Sequence, residues 1–312
     1  MDLPSPETPL RIGTRGSPLA LAQAHESRDR LASAHGLPAE AFQIVVVKTT
    51  GDAVQDRPLS EIGGKGLFTQ EIEEGLLAGT LDIAVHSMKD MPTVLPEGLE
   101  IACLLPREDV RDVFVSPALR AIADLPAGAV VGSSSLRRRA QLLHRRPDLQ
   151  VVEFRGNVQT RLRKLADGVA QATFLAAAGL RRLGHVIEEM GAAIAPEEML
   201  PAVAQGAIGI EARSEDATVA ALLAPIHDAA TAHRLAAERA FLAGLDGSCR
   251  TPIGGLAVLE GEGLWLRGEI VRPDGSERLM AERRGPITDA AAMGRDAAAE
   301  LRAAGGTDFF AH

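Results

Sequence analysis

The chain predicts an α/β protein: two sheet-and-helix units of similar size, followed by a smaller α+β unit. Three observations predict it. Apolar runs of strand length alternate with helical stretches from Leu10 onward, and the alternation restarts after Pro106-Arg107-Glu108-Asp109. After Pro225 it gives way to an Ala-rich helical pattern and antiparallel-type strands. At 312 residues the chain exceeds one ordinary core. With one Trp, no Tyr and 3% aromatics, its cores must be aliphatic.

The elements follow in order. Leu10-Arg11-Ile12-Gly13 reads as a strand, and Ser17-Pro18 supplies an N-cap and a first-turn proline for a helix running from Leu19 to Ala34 before Gly36. Phe42 to Val47 is a buried-strand run, Leu67 to Leu77 has helical character, and Leu81 to Val85 is a further buried strand. In the second unit the strands are Val113-Phe114-Val115, Ala129 to Gly132, Val151-Val152 and Thr173 to Ala176, with helices after Gly132 and from about Asn157. Ala207 to Glu211 is expected to return to the first sheet, closing a hinged cleft. Beyond Pro225, Asp228 to Leu245 is helical, and Leu256 to Leu259 and Leu264 to Val271 alternate as strands. Pro273-Asp274-Gly275 turns the chain into Arg278 to Glu282, and Ala290 to Ala304 closes it as a helix.

Formal charge is -9, which argues against a general nucleic-acid binder. Between Arg137 and Arg182 the balance reverses: ten Arg and Lys164 face only Asp148, Glu153 and Asp167, a local +8. A local anionic ligand is expected, with Arg145, Arg146 and Arg163 read as an ordinary solvated face. The first nine residues carry neither a basic nor an apolar export region, no run approaches a membrane span, and two cysteines support no disulfide framework. A reducing cytoplasm is the expected compartment.

Chemistry concentrates at strand-to-helix junctions. Ser87-Met88-Lys89-Asp90 follows a buried strand, where open α/β sheets collect ligands, and an acid beside a lysine keeps its charge for stabilising cations or moving protons. Ser133-Ser134-Ser135-Leu136-Arg137-Arg138-Arg139 puts hydroxyls, free N-H groups and guanidiniums at a helix start, a carboxylate-binding arrangement. Arg155-Gly156-Asn157 with Arg161, and Thr14-Arg15-Gly16-Ser17, repeat the pattern. Gly63-Gly64-Lys65-Gly66 lacks the residues of a phosphate loop, so it is read as a flexible segment bringing Lys65 to an anion. His86 has no metal-spaced companions and is assigned a structural role, Cys103 a core position, and no metal site is expected. Cys249, in the turn-rich Gly247-Ser248-Cys249-Arg250-Thr251-Pro252-Ile253-Gly254, reads either as a small buried apolar residue or as a nucleophile carrying a covalent group.

As an ordered set, Thr14 to Gln23, Ala84 to Pro92, Ser133 to Arg138, Arg155 to Val158, Pro201 to Gly206 and Gly247-Ser248-Cys249 closely resemble the porphobilinogen deaminase (hydroxymethylbilane synthase) family, from about Leu10 to the C-terminus. The resemblance implies two periplasmic-binding-protein-like α/β domains forming a cleft, 1-104 with 201-223 and 105-200, plus a small α+β domain, 224-312. It implies a dipyrromethane cofactor bonded through the sulfur of Cys249, on which four porphobilinogens are joined head to tail, each losing ammonia, before water releases hydroxymethylbilane.

By the same resemblance Asp90 stabilises the cationic azafulvene-like electrophile and handles protons. Lys89, Ser133, Ser135, Arg137 and Arg138 join Asp90 in holding the cofactor. Arg15, Ser17, Lys65, Ser87, Arg155, Arg161 and Arg182 hold the substrate's acetate and propionate groups. A monomer is implied, with product handed to uroporphyrinogen III synthase. One departure is Glu61, where the family usually has a basic residue. Two rival readings are a two-lobed carboxylate-binding or sensor protein without catalysis, which leaves Asp90 and Cys249 unexplained, and an RNA-binding domain, which the net charge and the lack of stacking aromatics disfavour.

Overall fold

The computed structural model describes residues 3–49, 69–247, 251–306 and 308–309, and in it the alternation builds three sheets. The chain divides into two compact units, Met1–Arg107 with Ala207–Ala232 and Glu108–Gly206 with His233–His312. In chain order the first unit begins with β1 (Leu10–Arg15), α1 (Pro18–His35), β2 (Phe42–Val47), α2 (Gln70–Leu77), β3 (Ile83–Ser87) and β4 (Leu99–Leu104). The second continues with β5 (Asp112–Val115), β6 (Val130–Gly132), α3 (Leu136–Arg145), β7 (Gln150–Val152), α4 (Val158–Ala166), β8 (Ala172–Ala176), α5 (Ala177–Arg182), α6 (Ile187–Met190) and β9 (Ala192–Ala193). The chain then returns to the first unit for β10 (Ile208–Arg213) and α7 (Ala217–Leu223). It closes with α8 (Ala229–Gly244), β11 (Ile253–Glu260), β12 (Gly263–Val271), β13 (Arg278–Pro286) and α9 (Ala290–Gly305).

The first sheet has the order β2-β1-β3-β10-β4, and the second β7-β6-β8-β5-β9. In each, the first three strands are parallel and the fourth runs antiparallel to its neighbours. That fourth place is filled by β10 or β5, the strand formed just after the chain has entered the unit from the other one. The expected return of Ala207 to Glu211 is therefore met. The parallel strands end on one edge of each sheet, which is where α/β folds gather ligand-binding side chains.

Local chemistry accounts for the boundaries. Ser17 caps α1 by accepting the Ala20 N-H at 3.2 Å, Pro18 fills the first turn, and Gly36 ends the helix with φ 63°. The strand β3 has Ile83, Ala84, Val85 and His86 buried, and with Ile12, Leu31, Cys103, Leu105, Ile208 and Ile210 it forms an aliphatic core. A second core gathers Phe114, Val131, Leu142 and Phe174.

The third sheet is the antiparallel meander β11-β12-β13, with α9 packed on β12 and β13. Trp265 on β12 has two guanidiniums against its ring, with the Cζ atoms of Arg267 and Arg284 at 4.2 and 4.1 Å from the ring centroid. Its indole Nε1 donates to Glu282 at 3.1 Å. Strands β4 and β9 and helices α5, α6 and α7 had no counterpart in the sequence reading.

Candidate active site

In the first unit, β1 and β3 are adjacent and parallel, so Arg15, Ser17, Ser87, Lys89 and Asp90 gather at one edge of the sheet. Met88–Asp90 forms a 3-10 turn directly on the end of β3. Three contacts hold it. Ser87 Oγ exchanges hydrogen bonds with the buried Gln23 amide, at 2.8 and 3.0 Å, on the α1 face. The Met88 N-H donates to the Ala207 carbonyl at 3.0 Å, and on the other face His86 Nε2 lies 2.9 Å from Glu211 Oε2, with both side chains buried.

Asp90 itself is exposed and has no hydrogen-bond or ion-pair partner among the described residues. A carboxylate on a clamped turn, with its own oxygens uncommitted, is arranged to meet a ligand cation or N-H group. Close to the buried His86 and Glu211 pair, the Glu73 carboxyl of α2 is pushed above the usual carboxylate range by burial. The Glu211 charge adds to this, and Thr69 and His86 oppose it.

In the second unit, β6, β7 and β8 are parallel, and the Ser133 to Arg138 segment, Arg155, Arg161 and Arg182 all follow their carboxyl ends. Ser135 caps α3, accepting the Arg138 N-H at 3.4 Å, and Ser133 Oγ accepts the Ser135 N-H at 3.2 Å. Ser134 accepts the Phe154 N-H at 2.9 Å and ties this turn to the next. Asn157 caps α4 by accepting the Thr160 N-H at 2.9 Å, after Gly156 turns the chain with φ 117°. Arg155, Arg161 and Arg182 are half-buried; Arg182 Nη2 donates to the Gly206 carbonyl at 3.1 Å, and Arg155 Nε lies 3.8 Å from Glu153.

Arg137 and Arg138 are not solvated guanidiniums. They are 4% and 5% exposed, and both donate to Asp112, the wholly buried first residue of β5. Burial alone would raise the Asp112 pKa, but the two guanidiniums and the Gln205 amide overcome it and hold the carboxyl well below the usual range. Sequence reading missed Asp112, Gln23 and Glu211; the one available signal was an acid opening the apolar run Val113-Phe114-Val115. His86 and Cys103 are buried as expected, while Arg145 and Arg163 are exposed. Lys65, Glu61 and Cys249 lie outside the described residues. Among the described residues no His, Cys, Asp and Glu group could hold a metal ion, and no helix is long and apolar enough to cross a membrane.

A family model described as porphobilinogen deaminase, dipyromethane cofactor binding domain, matches residues 10–221, and one described as porphobilinogen deaminase, C-terminal domain, matches 232–303. A curated relative from Paracoccus denitrificans (strain Pd 1222), named porphobilinogen deaminase, is 70% identical over 99% of this chain and 98% of its own length. One of the same name from Nitrobacter winogradskyi (strain ATCC 25391 / DSM 10237 / CIP 104748 / NCIMB 11846 / Nb-255) is 57% identical over 96% of this chain and 94% of its own. Among solved structures, an ABC transporter periplasmic substrate-binding protein from Coxiella burnetii aligns with a TM-score of 0.42 at 15% identity, covering 72% of this chain and 94% of that one.

Proposed function

The chain belongs to the porphobilinogen deaminase family, and from that premise we propose how its own residues carry out the reaction. The enzyme is a transferase of tetrapyrrole synthesis: it condenses four porphobilinogens head to tail, with loss of ammonia, to hydroxymethylbilane on a dipyrromethane cofactor. When bound, that cofactor supplies a pyrrole ring carbon on which the first substrate unit is joined.

The arginine groups fit such a group. Arg137 and Arg138 together exceed Asp112 by one positive charge, and Arg137 Nε is buried with no acceptor among the described residues. Surplus buried donors suit a molecule bearing acetate and propionate groups. Cys249 is the proposed thioether anchor, with Lys89, Ser133, Ser135, Arg137 and Arg138 as polar holders of the cofactor. Arg15, Ser17, Ser87, Arg155, Arg161, Arg182 and Lys65 would bind substrate carboxylates, several of them from helix starts that favour anions.

Asp90 is the proposed catalytic group. Departure of ammonia leaves positive charge on the pyrrole, and joining two rings displaces a ring proton; an uncommitted carboxylate offsets the first and accepts the second. Its exposure on a clamped turn, with no partner among the described residues, is the observation that carries the assignment. The proposal extends to a monomer working in the cytoplasm, handing product to uroporphyrinogen III synthase, with domains at 1-104 with 201-223, 105-200 and 224-312.

Intact-mass analysis with Ehrlich staining tests the reading. Wild-type protein is expected to carry a dipyrrole mass increment and to stain, and Cys249→Ser to have the bare mass of its sequence and no colour. A fully active, adduct-free Cys249→Ser enzyme would remove the anchor role.

A further inference from the structure

We propose that Asp112 is a positioning residue that sets the charge of the Arg137–Arg138 pair, leaving a preformed receptor for a single carboxylate. The inference rests on the functional reading above, in which this pair faces cofactor acid groups.

Two adjacent guanidiniums that cannot lose their protons are costly to bury unless a counter-charge accompanies them. Asp112, 0% exposed, is that counter-charge. Its Oδ1 accepts from Arg138 Nη2 at 2.7 Å, Arg138 Nε at 3.1 Å and Gln205 Nε2 at 3.0 Å, and its Oδ2 accepts from Arg137 Nη2 at 2.7 Å. The outer nitrogens are also fixed, Arg137 Nη1 on the Leu200 carbonyl and Arg138 Nη1 on the Phe174 carbonyl, each at 2.8 Å. The other buried acid acting on Arg137 is Glu269, and it is taken by Arg278 at 2.6 Å.

The division is unequal. Asp112 engages Arg138 through two nitrogens but Arg137 through one, so Arg137 keeps the surplus donors, its buried Nε included. Three side chains carrying a net single positive charge can be neutralised by one carboxylate, and a second would find no partner. Because both guanidiniums are already held, binding orders no long side chain, which is where such sites usually lose affinity. Both arginines therefore contribute to one acid group rather than to two.

The test compares Asp112→Asn, Arg138→Met and the charge-conserving double variant with wild type, scoring the adduct-bearing fraction by intact mass, the melting temperature, and KM against kcat. Asp112→Asn is expected to cut the adduct-bearing fraction at least about fivefold and to raise KM about tenfold with little change in kcat in whatever is loaded. The double variant, restored to one excess charge, should regain adduct and melting temperature relative to Asp112→Asn, whereas a packing role would make the two losses add. Should Asp112→Asn fail to fold, a folded, adduct-bearing double variant still supports the proposal, and an unfolded or adduct-free one overturns it. Wild-type loading and KM in Asp112→Asn would overturn it directly. Wild-type protein without any adduct would instead overturn the functional reading, a result separable from losses confined to the variants.

Discussion

Asp90 and Glu73 lie in one unit, yet their surroundings make opposite demands on a carboxyl group. Asp90 is exposed on its turn, and removing its charge should harm chemistry more than folding. Asp90→Asn is expected to retain the cofactor mass and lose turnover by about 10²- to 10³-fold, measured as product formed per adduct-bearing molecule. Near-normal turnover would take Asp90 out of the mechanism. Glu73 is buried, and burial raises its pKa, so the fold favours its protonated form. That contribution is complete below the ordinary glutamate range and is lost as pH rises through the raised value. Glu73→Gln should therefore melt with wild type at about pH 4 and above it at about pH 8, by about 2–4 °C for each kcal/mol recovered. A variant melting lower at the higher pH would count against this account. The common sheet edge of Asp90, Lys89 and Arg15 could be read from the sequence because each sits in a contiguous motif directly on a strand end. Asp112 could not, since its partners Arg137 and Arg138 are 25 and 26 residues away and only the fold brings them together.

Between elements, the turn carrying Asp90 depends on the absence of a side chain. Gly209 of β10 pairs with His86, and a Cβ there would sit 2.1 Å from the Met88 sulfur and 3.3 Å from Ile101 Cγ2. Met88 is buried at 2% exposure and is the first residue of the turn, so the strain passes to Lys89 and Asp90. Gly209→Ala should cost about 1–3 kcal/mol by thermal melting and lower turnover while the cofactor mass persists. Unchanged turnover would mean that Met88 yields without moving the turn. The strand and helix rhythm was readable wherever apolar runs were long. Strand β4 escaped because its exposed Glu100 and half-buried Ile101 and Ala102 break the expected pattern, and α7 because seven residues capped by Asp216 give too short a window.

Across the whole molecule, the return of β10 to the first sheet was foreseeable from chain order, but the bonds that bind the third sheet into the second unit were not. They join residues far apart in sequence: Gln141 on α3 donates to Glu269 on β12, the Gly255 N-H of β11 donates to the Pro201 carbonyl, and Glu238 on α8 accepts both the Ala204 N-H and the Ala257 N-H of β11. Glu269 is wholly buried and also accepts Arg278 Nε at 2.7 Å. Glu269→Ala would strand a guanidinium and an amide, and is expected to cost about 3–5 kcal/mol in denaturant unfolding. A loss below about 1 kcal/mol would show that the buried acid contributes little. The same sheet holds the chain's single tryptophan, and there is no tyrosine. Intrinsic fluorescence therefore issues from one indole on β12 with two cations against its ring, an optical label supplied by the sequence itself. Its emission reads the loosening of the third sheet, while far-ultraviolet circular dichroism sums every helix, so one sample reports local and global melting together.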